Sequence, residues 1–540
     1  MAVNSLLPFL GTSPSQEAVF QWLEPELGRW RHNPKLATTI LSDLAKNRLP
    51  DVALKILRSM RQVEVEVNGF HCNAAMHACQ KAARWQEALE LLSFWLPEFR
   101  VSPDAVSFST AISSCEKGGR WQLALRLLTE MMPLAKVRPN EVSHNAAISA
   151  CGEKGGQWQL ALQLLGRMSA ARITPNKISC NAAISACSKA GEWQVALDLL
   201  SRMPVRRLVP SEISFSSAIS ACEKGGQWQL ALGLLRQMPE VMVTPDAICY
   251  SAAMSACEKG CQWQLALSLL RLMPDMRLMG DEITCNAVIS ACSKSGEWEQ
   301  ALSLLCEMPA VRLVPNKISY SAAISACEKG SQWELALSLL NSMPLKRLRP
   351  NEISYSAAIS ACEKGGQWQL ALLLLSKMPE VRVVPDEFSY SAAMSACEAG
   401  GQWQLALSIL AKSRAEMPTD NNNNKEIIYS SAISACEKAG RWELALSLLS
   451  SMPCTRLAPS HFCFNAGILA CISCNRWQDT FGLLDELLRR GLGPDQYSCG
   501  ALLTECEQRG LLGVEPGLTW LTASLFESEE KRSFLKVEKR

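Results

Sequence analysis

Between residues 247 and 281 the apolar positions follow two successive helical rhythms. Tyr250, Ala253, Met254 and Cys257 fall at the i, i+3, i+4, i+7 spacing of one helical face, with Ser251, Ser255 and Glu258 on the opposite side. This predicts a helix from about Cys249 to Lys259, broken at Gly260. A second pattern, Trp263 to Met273, is richer: Trp263, Leu265, Ala266, Leu267, Leu269, Leu270 and Met273 make a face too wide for one partner, so it must be covered from both sides. Pro274 is expected to stop that helix, and the segment to Asp281 returns the chain to its starting level.

The same text recurs along the chain. A cysteine closing the first pattern stands at Cys79, Cys115, Cys151, Cys187, Cys222, Cys257, Cys292, Cys327, Cys362, Cys397, Cys436, Cys471 and Cys506, in steps of 36 three times, 35 six times, 39 once and 35 twice. A tryptophan opens the second pattern in twelve units, from Trp85 to Trp477. Two short helices per 35 residues cannot bury their apolar faces alone, so the units must stack, and the fold expected is an all-α solenoid of helix-turn-helix repeats. The array spans 34–495 in about 13 units; the first, 34–68, is degenerate, with Leu44 and Pro50 where later units carry Cys and Trp. Residues 1–33 read as an N-terminal cap, with Phe20, Trp22, Leu23, Leu27 and Trp30 apolar, and 496–540 as a partial repeat with a capping helix. The unit 387–425 is four residues too long, and its surplus, Asn421 to Asn424, reads as a solvated loop.

Composition narrows what such a stack does. A net charge of +2 with 20% charged residues gives no whole-protein field for a polyanion, so any nucleic-acid contact comes from locally placed cations. Thirteen of the 23 cysteines share one repeat position; stacked helices lie about 8–10 Å apart, beyond the roughly 7 Å limit for disulfide-linked Cα atoms, so these thiols are expected free and buried, in a reducing compartment. Cys471 and Cys474 form a lone CxxC without the four ligands of a structural zinc site, and no metal or other cofactor is expected. No apolar run approaches the roughly 20 residues of a membrane span. The first 28 residues lack Lys and Arg and carry Glu17, Glu24 and Glu26, unlike a secretory signal or an Arg-rich presequence. The repeated tryptophans stand at the head of an apolar helix, where packing, rather than base stacking, explains them.

The pattern I-S-Y-S-A-A-I-S-A-C-E-K-G, then W-Q-L-A-L-x-L-L-x-x-M, then x-P-D or x-P-N, closely resembles the pentatricopeptide repeat family, in the form of a P-type array without a catalytic C-terminal domain. The resemblance covers residues 34–495; the Trp and Cys of each unit depart from the commonest family residues. It implies a right-handed superhelical solenoid that binds single-stranded RNA, one base per unit, read by two or three side chains.

By that resemblance the fifth residue of each unit and its last residue read the base, and the second residue packs against it. The base-reading pairs are Thr38 with Asn68, Asn73 with Asp104, Ser109 with Asn140, Asn145 with Asn176, Asn181 with Ser211, Ser216 with Asp246, Ser251 with Asp281, Asn286 with Asn316, Ser321 with Asn351, Ser356 with Asp386, and Asn465 with Asp495. Ser391 with Lys425 and Ser430 with Ser460 depart from the family code. Apolar second residues such as Val106, Ile213, Ile248, Ile318 and Phe388 are the base-packing candidates. The code reads A-U-A-Y-C-G-G-Y-A-G-N-N-U from the RNA 5′ end. Ser or Asn near a helix start, and Asp or Asn just before it, are also ordinary caps and turn formers; alternation of Ser and Asn within an otherwise fixed A-A-I-S-A-C context favours readout.

A lysine two places after the repeated Cys, as at Lys117, Lys224, Lys259, Lys329 and Lys364, flanks the fifth-residue face and is the phosphate-contact candidate; a preceding Glu in seven units offers self-neutralisation instead. The function expected is occupancy of a transcript in organellar RNA processing, stability or translation, in a chloroplast or mitochondrion with the cytoplasm or nucleus as the alternative, by a monomer that meets protein partners of RNA processing. A protein-interaction scaffold is the alternative. An enzyme ranks third, since no H-x-E with P-C-x-x-C deaminase signature follows the array.

Overall fold

The computed structural model describes residues 16–17, 19–21, 23, 30, 34–63, 65–153, 156–274, 276, 278–416, 422–454, 457–491 and 500. They fall into two compact units that divide between Gly280 and Asp281. Each is a tandem series of helical hairpins, and among the described residues there is no strand and no helix long and apolar enough to cross a membrane. Most of the predicted N-terminal cap and nearly all of the predicted C-terminal segment lie outside the described residues. Of the former, Val19, Leu23 and Trp30 are buried, and Gln16 donates to the Lys55 carbonyl and the Ser59 hydroxyl.

In the first unit the repeats run from the pair Pro34–Lys46 and Pro50–Gln62 to the pair Ala247–Lys259 and Trp263–Leu272; in the second, from Glu282–Ser295 and Trp298–Glu307 to His461–Ser473 and Trp477–Arg489. First helices form the continuous layer: Glu141–Glu153 packs between Ala105–Lys117 and Lys177–Ala190, and Lys317–Lys329 between Glu282–Ser295 and Glu352–Lys364. Tyr250, Ala253, Met254 and Cys257 are buried as their spacing requires, with Ser251, Ser255 and Glu258 half-exposed on the other side. The twelve described cysteines of the repeated position are free and buried, and burial alone pushes thiols such as Cys115, Cys257 and Cys362 up to about 11. Cys474 of the CxxC donates to the Gly440 carbonyl of the preceding repeat.

The glycine after the first helix has a different reason from the expected chain break. Gly225, Gly260, Gly330, Gly365 and Gly400 all have φ near −80°, which any residue adopts. A Cβ at Gly330 would stand 2.2 Å from Cδ1 of Trp298, and the same clash recurs between Gly365 and Trp333 at 2.3 Å. Trp85, Trp193, Trp228, Trp298, Trp333 and Trp368 therefore lie on the bare backbone of the next repeat, while the repeats after Trp158 and Trp403 carry Ala190 and Ala439 at that place. Where the next unit has Arg before its own tryptophan, the guanidinium covers the ring as well, 4.1 Å from the Trp442 centroid for Arg476 and 5.1 Å from Trp85 for Arg120.

The irregular steps have separate explanations. The 36-residue units 69–104 and 105–140 carry their extra residue in the second helix, absorbed as π-helical turns at Leu91–Trp95 and Leu127–Met131. The third 36-residue step falls between Cys151 and Trp158, around residues 154–155, which are not described.

Three sequence expectations are corrected. Asn422, Asn423 and Asn424 do not form a loop: they lengthen the next first helix, Asn422–Lys438, by an added N-terminal turn, while Asn421 lies outside the described residues. The proline after the repeated Met stops the second helix only in some repeats: Trp263–Leu272 ends before Pro274 as expected, whereas Pro204, Pro239, Pro344 and Pro379 sit inside the last turn of theirs. The stop comes afterwards, from a Schellman arrangement in which Leu208 N–H bonds to the Met203 carbonyl and Arg207 N–H to that of Pro204. The wide second-helix face is also not wholly covered: Leu265 and Leu270 are half-exposed, and Leu230, the counterpart of Leu265, is 39% exposed.

Candidate functional site

The last residue of most repeats is first a helix cap; Lys425 instead lies within the helix Asn422–Lys438. Asp104 accepts from Ser107 N–H at 2.7 Å, Asn351 from Ser354 N–H at 3.0 Å and Asp386 from Ser389 N–H at 2.8 Å, each with extended backbone ahead of its helix. Asn68, Asn176, Asp246, Asp281 and Asn316 do the same, and Ser211 and Ser460 hold the same N-cap place.

The cap also reaches back to the previous first helix. Asn73 Nδ2 lies 3.3 Å from both carboxylate oxygens of Asp104; Ser109 donates to Asn140 at 3.2 Å, Asn145 to Asn176 at 3.4 Å and Asn181 to Ser211 at 3.3 Å. In the second unit Asn286 donates to Asn316 at 3.4 Å and Ser321 to Asn351 at 3.2 Å. Six of the predicted pairs are thus in hydrogen-bond contact across a repeat boundary. Ser216 and Ser356, whose partners are Asp246 and Asp386, donate to their own helix at the Ile213 and Ile353 carbonyls. Ser251 and Asp281 belong to different compact units. Thr38 is half-exposed on the first helix of the degenerate unit. Asp495 and the Lys425 side chain lie outside the described residues, and Asn465 is 4% exposed.

A third residue, not singled out from sequence, locks these pairs. The N3 serine of the next helix donates to the fifth-residue amide oxygen: Ser107 to Asn73 at 2.7 Å, and Ser179 to Asn145, Ser214 to Asn181 and Ser319 to Asn286 at 2.6 Å. The fixed serine of the I-S-Y and I-S-C text was its signal. The Asn amides are therefore oriented before any ligand arrives, with one Nδ2 hydrogen and one Oδ1 lone pair still unspent. Glutamates at the first position also take part, Glu282 and Glu141 accepting from the cap amides of Asn316 and Asn176. Burial raises Asp104, but hydrogen bonds from the Ser107 N–H, the Ser107 hydroxyl and Asn73 outweigh it and hold the carboxyl below the usual range.

Above the pairs stands a row of apolar side chains with nothing over them. Val106, Ile213 and Ile248 are 54%, 63% and 66% exposed in the first unit; Ile318 and Phe388 are 63% and 69% exposed in the second. Grooves open between successive members: one of about 300 Å³ is lined by Ile353, Ser356, Phe388 and Ser391 with Glu328 and Glu363 among its walls, and one of about 270 Å³ by Val106, Ser109, Asn140 and Val142.

The predicted phosphate-contact lysines lie at the far end of the same helices and are exposed. Lys259 pairs with Glu223 at 3.1 Å and Lys364 with Glu328 at 3.0 Å. The neutralising Glu is that of the preceding repeat, not the chain neighbour suggested by sequence. Lys329 donates to the Lys294 carbonyl at 3.2 Å, and Lys117 and Lys224 make no ion pair among the described residues.

Models of the PPR repeat match residues 106–132, 178–208, 213–241, 318–348 and 427–454; the PPR repeat family matches 280–329 and the pentatricopeptide repeat domain 334–399. The chain is a pentatricopeptide repeat protein. Among solved structures, that of the pentatricopeptide repeat protein PPR10 from maize shares this fold, with a TM-score of 0.51 at 20% identity over 98% of this chain and 78% of the other. PPR10 in complex with an 18-nt psaJ RNA element aligns at 17% identity over 98% and 97% of the two chains, with a TM-score of 0.37 that carries no argument here. No match is found among curated proteins.

Proposed function

We propose that this pentatricopeptide repeat protein binds single-stranded RNA by sequence, one base per repeat, and acts by occupying a transcript in organellar RNA processing, stability or translation. The observation that supports this reading best is the coincidence of two rows: hydrogen-bonded pairs of variable polar residues, and exposed apolar residues between which grooves open at Ser109 with Asn140 and at Ser356. An exposed apolar row needs a cover, and a flat base supplies one while its Watson–Crick edge meets the polar pair.

The chemistry of the pairs suggests their preferences. Uracil and guanine each present a ring N–H on the Watson–Crick edge, which a carboxylate accepts; adenine and cytosine present a ring nitrogen acceptor, which a primary amide donates to. Hence Asp104 and Asp386 suit U and G, and Asn140 and Asn351 suit A. In the first unit Asn73 with Asp104 offers a donor beside an acceptor, the complement of the uracil edge. Selection from a random RNA pool by the full chain tests this. Enrichment of A-U-A-Y-C-G-G-Y-A-G-N-N-U, or a long contiguous part of it, is expected; a pool that stays unenriched at physiological salt, with peptides captured instead, contradicts it in favour of a protein scaffold.

A further inference from the structure

Among the described residues, left-handed positions follow both the first and the second helices of the repeats, and the chain fills them differently. After first helices the position is mostly glycine, at Gly119, Gly156, Gly191, Gly226, Gly296, Gly366, Gly401 and Gly440, as expected where a side chain strains the backbone; Arg48, Ala83, Cys261, Ser331 and Asn475 fill it elsewhere, with no shared chemistry. After second helices only Gly491 of the described residues in this conformation is glycine, and the other eight are not. They are Arg100, Lys136, Arg172, Arg207 and Met242 in the first unit, and Arg312, Arg347 and Arg382 in the second, with φ between 53° and 61°. Seven of these eight positions hold a cation in a conformation that favours glycine, so the backbone does not explain the choice.

All seven cations are exposed, and none makes an ion pair among the described residues. Of the lysines at the other end of the first helices, Lys259, Lys364 and Lys438 are held by Glu223, Glu328 and Glu398, while Lys117 and Lys224 make no ion pair among the described residues. The register is fixed too. Each left-handed cation stands four residues before the cap of the next first helix, and for all but Arg382 that cap is hydrogen-bonded to the fifth residue of the cation's own repeat, as with Arg100 before Asp104, Arg172 before Asn176, Arg312 before Asn316 and Arg347 before Asn351. Acids share this edge, among them Glu141, Glu282 and Glu352 at first positions and Glu240 and Glu380 at second-helix ends, but Glu141 and Glu282 are engaged by the caps Asn176 and Asn316.

We propose that these left-handed arginines form a phosphate rail: one guanidinium per repeat contacts the RNA backbone at the nucleotide whose base that repeat reads. The inference rests on the RNA-binding reading and adds where the strand's charge is held, at the cap end of the first helices. Guanidinium suits this task, being permanently charged and able to grip a phosphate through two N–H groups.

The test replaces Arg312, Arg347 and Arg382 together by glycine in the full chain, which relieves the strained backbone while removing the charge. The melting temperature should hold or rise. The log–log slope of RNA affinity against salt should fall by about 2, from roughly 0.7 per phosphate on single strands, and matched and mismatched RNAs should lose affinity by the same factor. Replacing Lys259 and Lys364 by glutamine should change the slope less. A parent that binds RNA by sequence, with a triple variant that keeps the parent slope, overturns the rail and leaves the RNA reading standing. A parent that binds anionic lipid vesicles and ignores RNA overturns both.

Discussion

The two ends of a repeat obey different rules. At the turn end, one tryptophan lies on one glycine of the next repeat: Trp193 on Gly225, Trp298 on Gly330, Trp368 on Gly400. At the cap end, the residues that meet across the boundary vary: Asn with Asp at Asn73 and Asp104, Asn with Ser at Asn181 and Ser211, Ser with Asn at Ser321 and Asn351. Both ends join neighbouring repeats, so joining alone does not explain the variation. A contact that only sets the stacking distance has one good solution and repeats it. A contact that also faces a ligand changes with what it must recognise.

Substitutions at the two ends should therefore fail differently. The largest effect is expected at the turn end: Gly330→Ala drives a Cβ into the Trp298 ring, and overpacking of this kind costs about 1–3 kcal/mol, read as a lower urea midpoint. Ser331→Gly beside it, at φ 55°, should stabilise instead. A Gly330→Ala midpoint equal to wild type would mean that the ring moves aside and the glycine has another cause. At the cap end, Asn351→Ala removes the bond to Ser354 N–H and should cost about 1 kcal/mol, while also abolishing base preference at one RNA position. Loss of stability with preference intact would reduce the residue to a cap.

A smaller effect separates the groove walls from both ends. Burial above all, with Glu328 and Glu398 nearby and against the pull of Lys364, raises the Glu363 carboxyl above the usual glutamate range. A raised acid favours folding while protonated, and that contribution is lost as pH rises through its folded value. Glu363→Gln should thus give a slightly higher melting temperature at neutral pH and no gain below the ordinary glutamate range. Equal gains at both pH values would mean that the charge is not the cause. The thiols add a kinetic check: in the native protein a thiol reagent should label exposed Cys261 and Cys306 and leave buried Cys257, Cys327 and Cys362 until denaturation. Prompt native labelling of those three would contradict the stack.

Much of this was legible because a 35-residue period fixes the phase of every position at once. The buried face through Tyr250 and Cys257 follows from that register, while the pairing of fifth with last residues and the open second residues came from the resemblance to the pentatricopeptide repeat family. What escaped were contacts between repeats that look local in one repeat. The third-position serines read as ordinary cap partners of their own helix, yet Ser319 also holds Asn286 of the repeat before. Gly330 reads as a helix breaker, and only the neighbouring ring shows what it makes room for. The π-helical turns appear in sequence only as a step of 36, which a longer loop would produce equally, and the asparagines at 422–424 looked like a loop because composition outweighed the helix they extend.

The central claim, that the variable pair reads a base, is tested most directly by Asp386→Asn. The substitution keeps the cap, since Asn serves as well as Asp at that position, and leaves Ser356 in place; it exchanges a carboxylate that accepts a base N–H for an amide that donates to a ring nitrogen. Affinity is measured for four RNAs differing only at the position facing this repeat, with a melting curve as control. The account predicts a change of preferred base from G to A, of roughly 1–3 kcal/mol by analogy with base readout in DNA, with unchanged melting. Equal affinities for all four RNAs before and after the substitution, at unchanged melting, would contradict it.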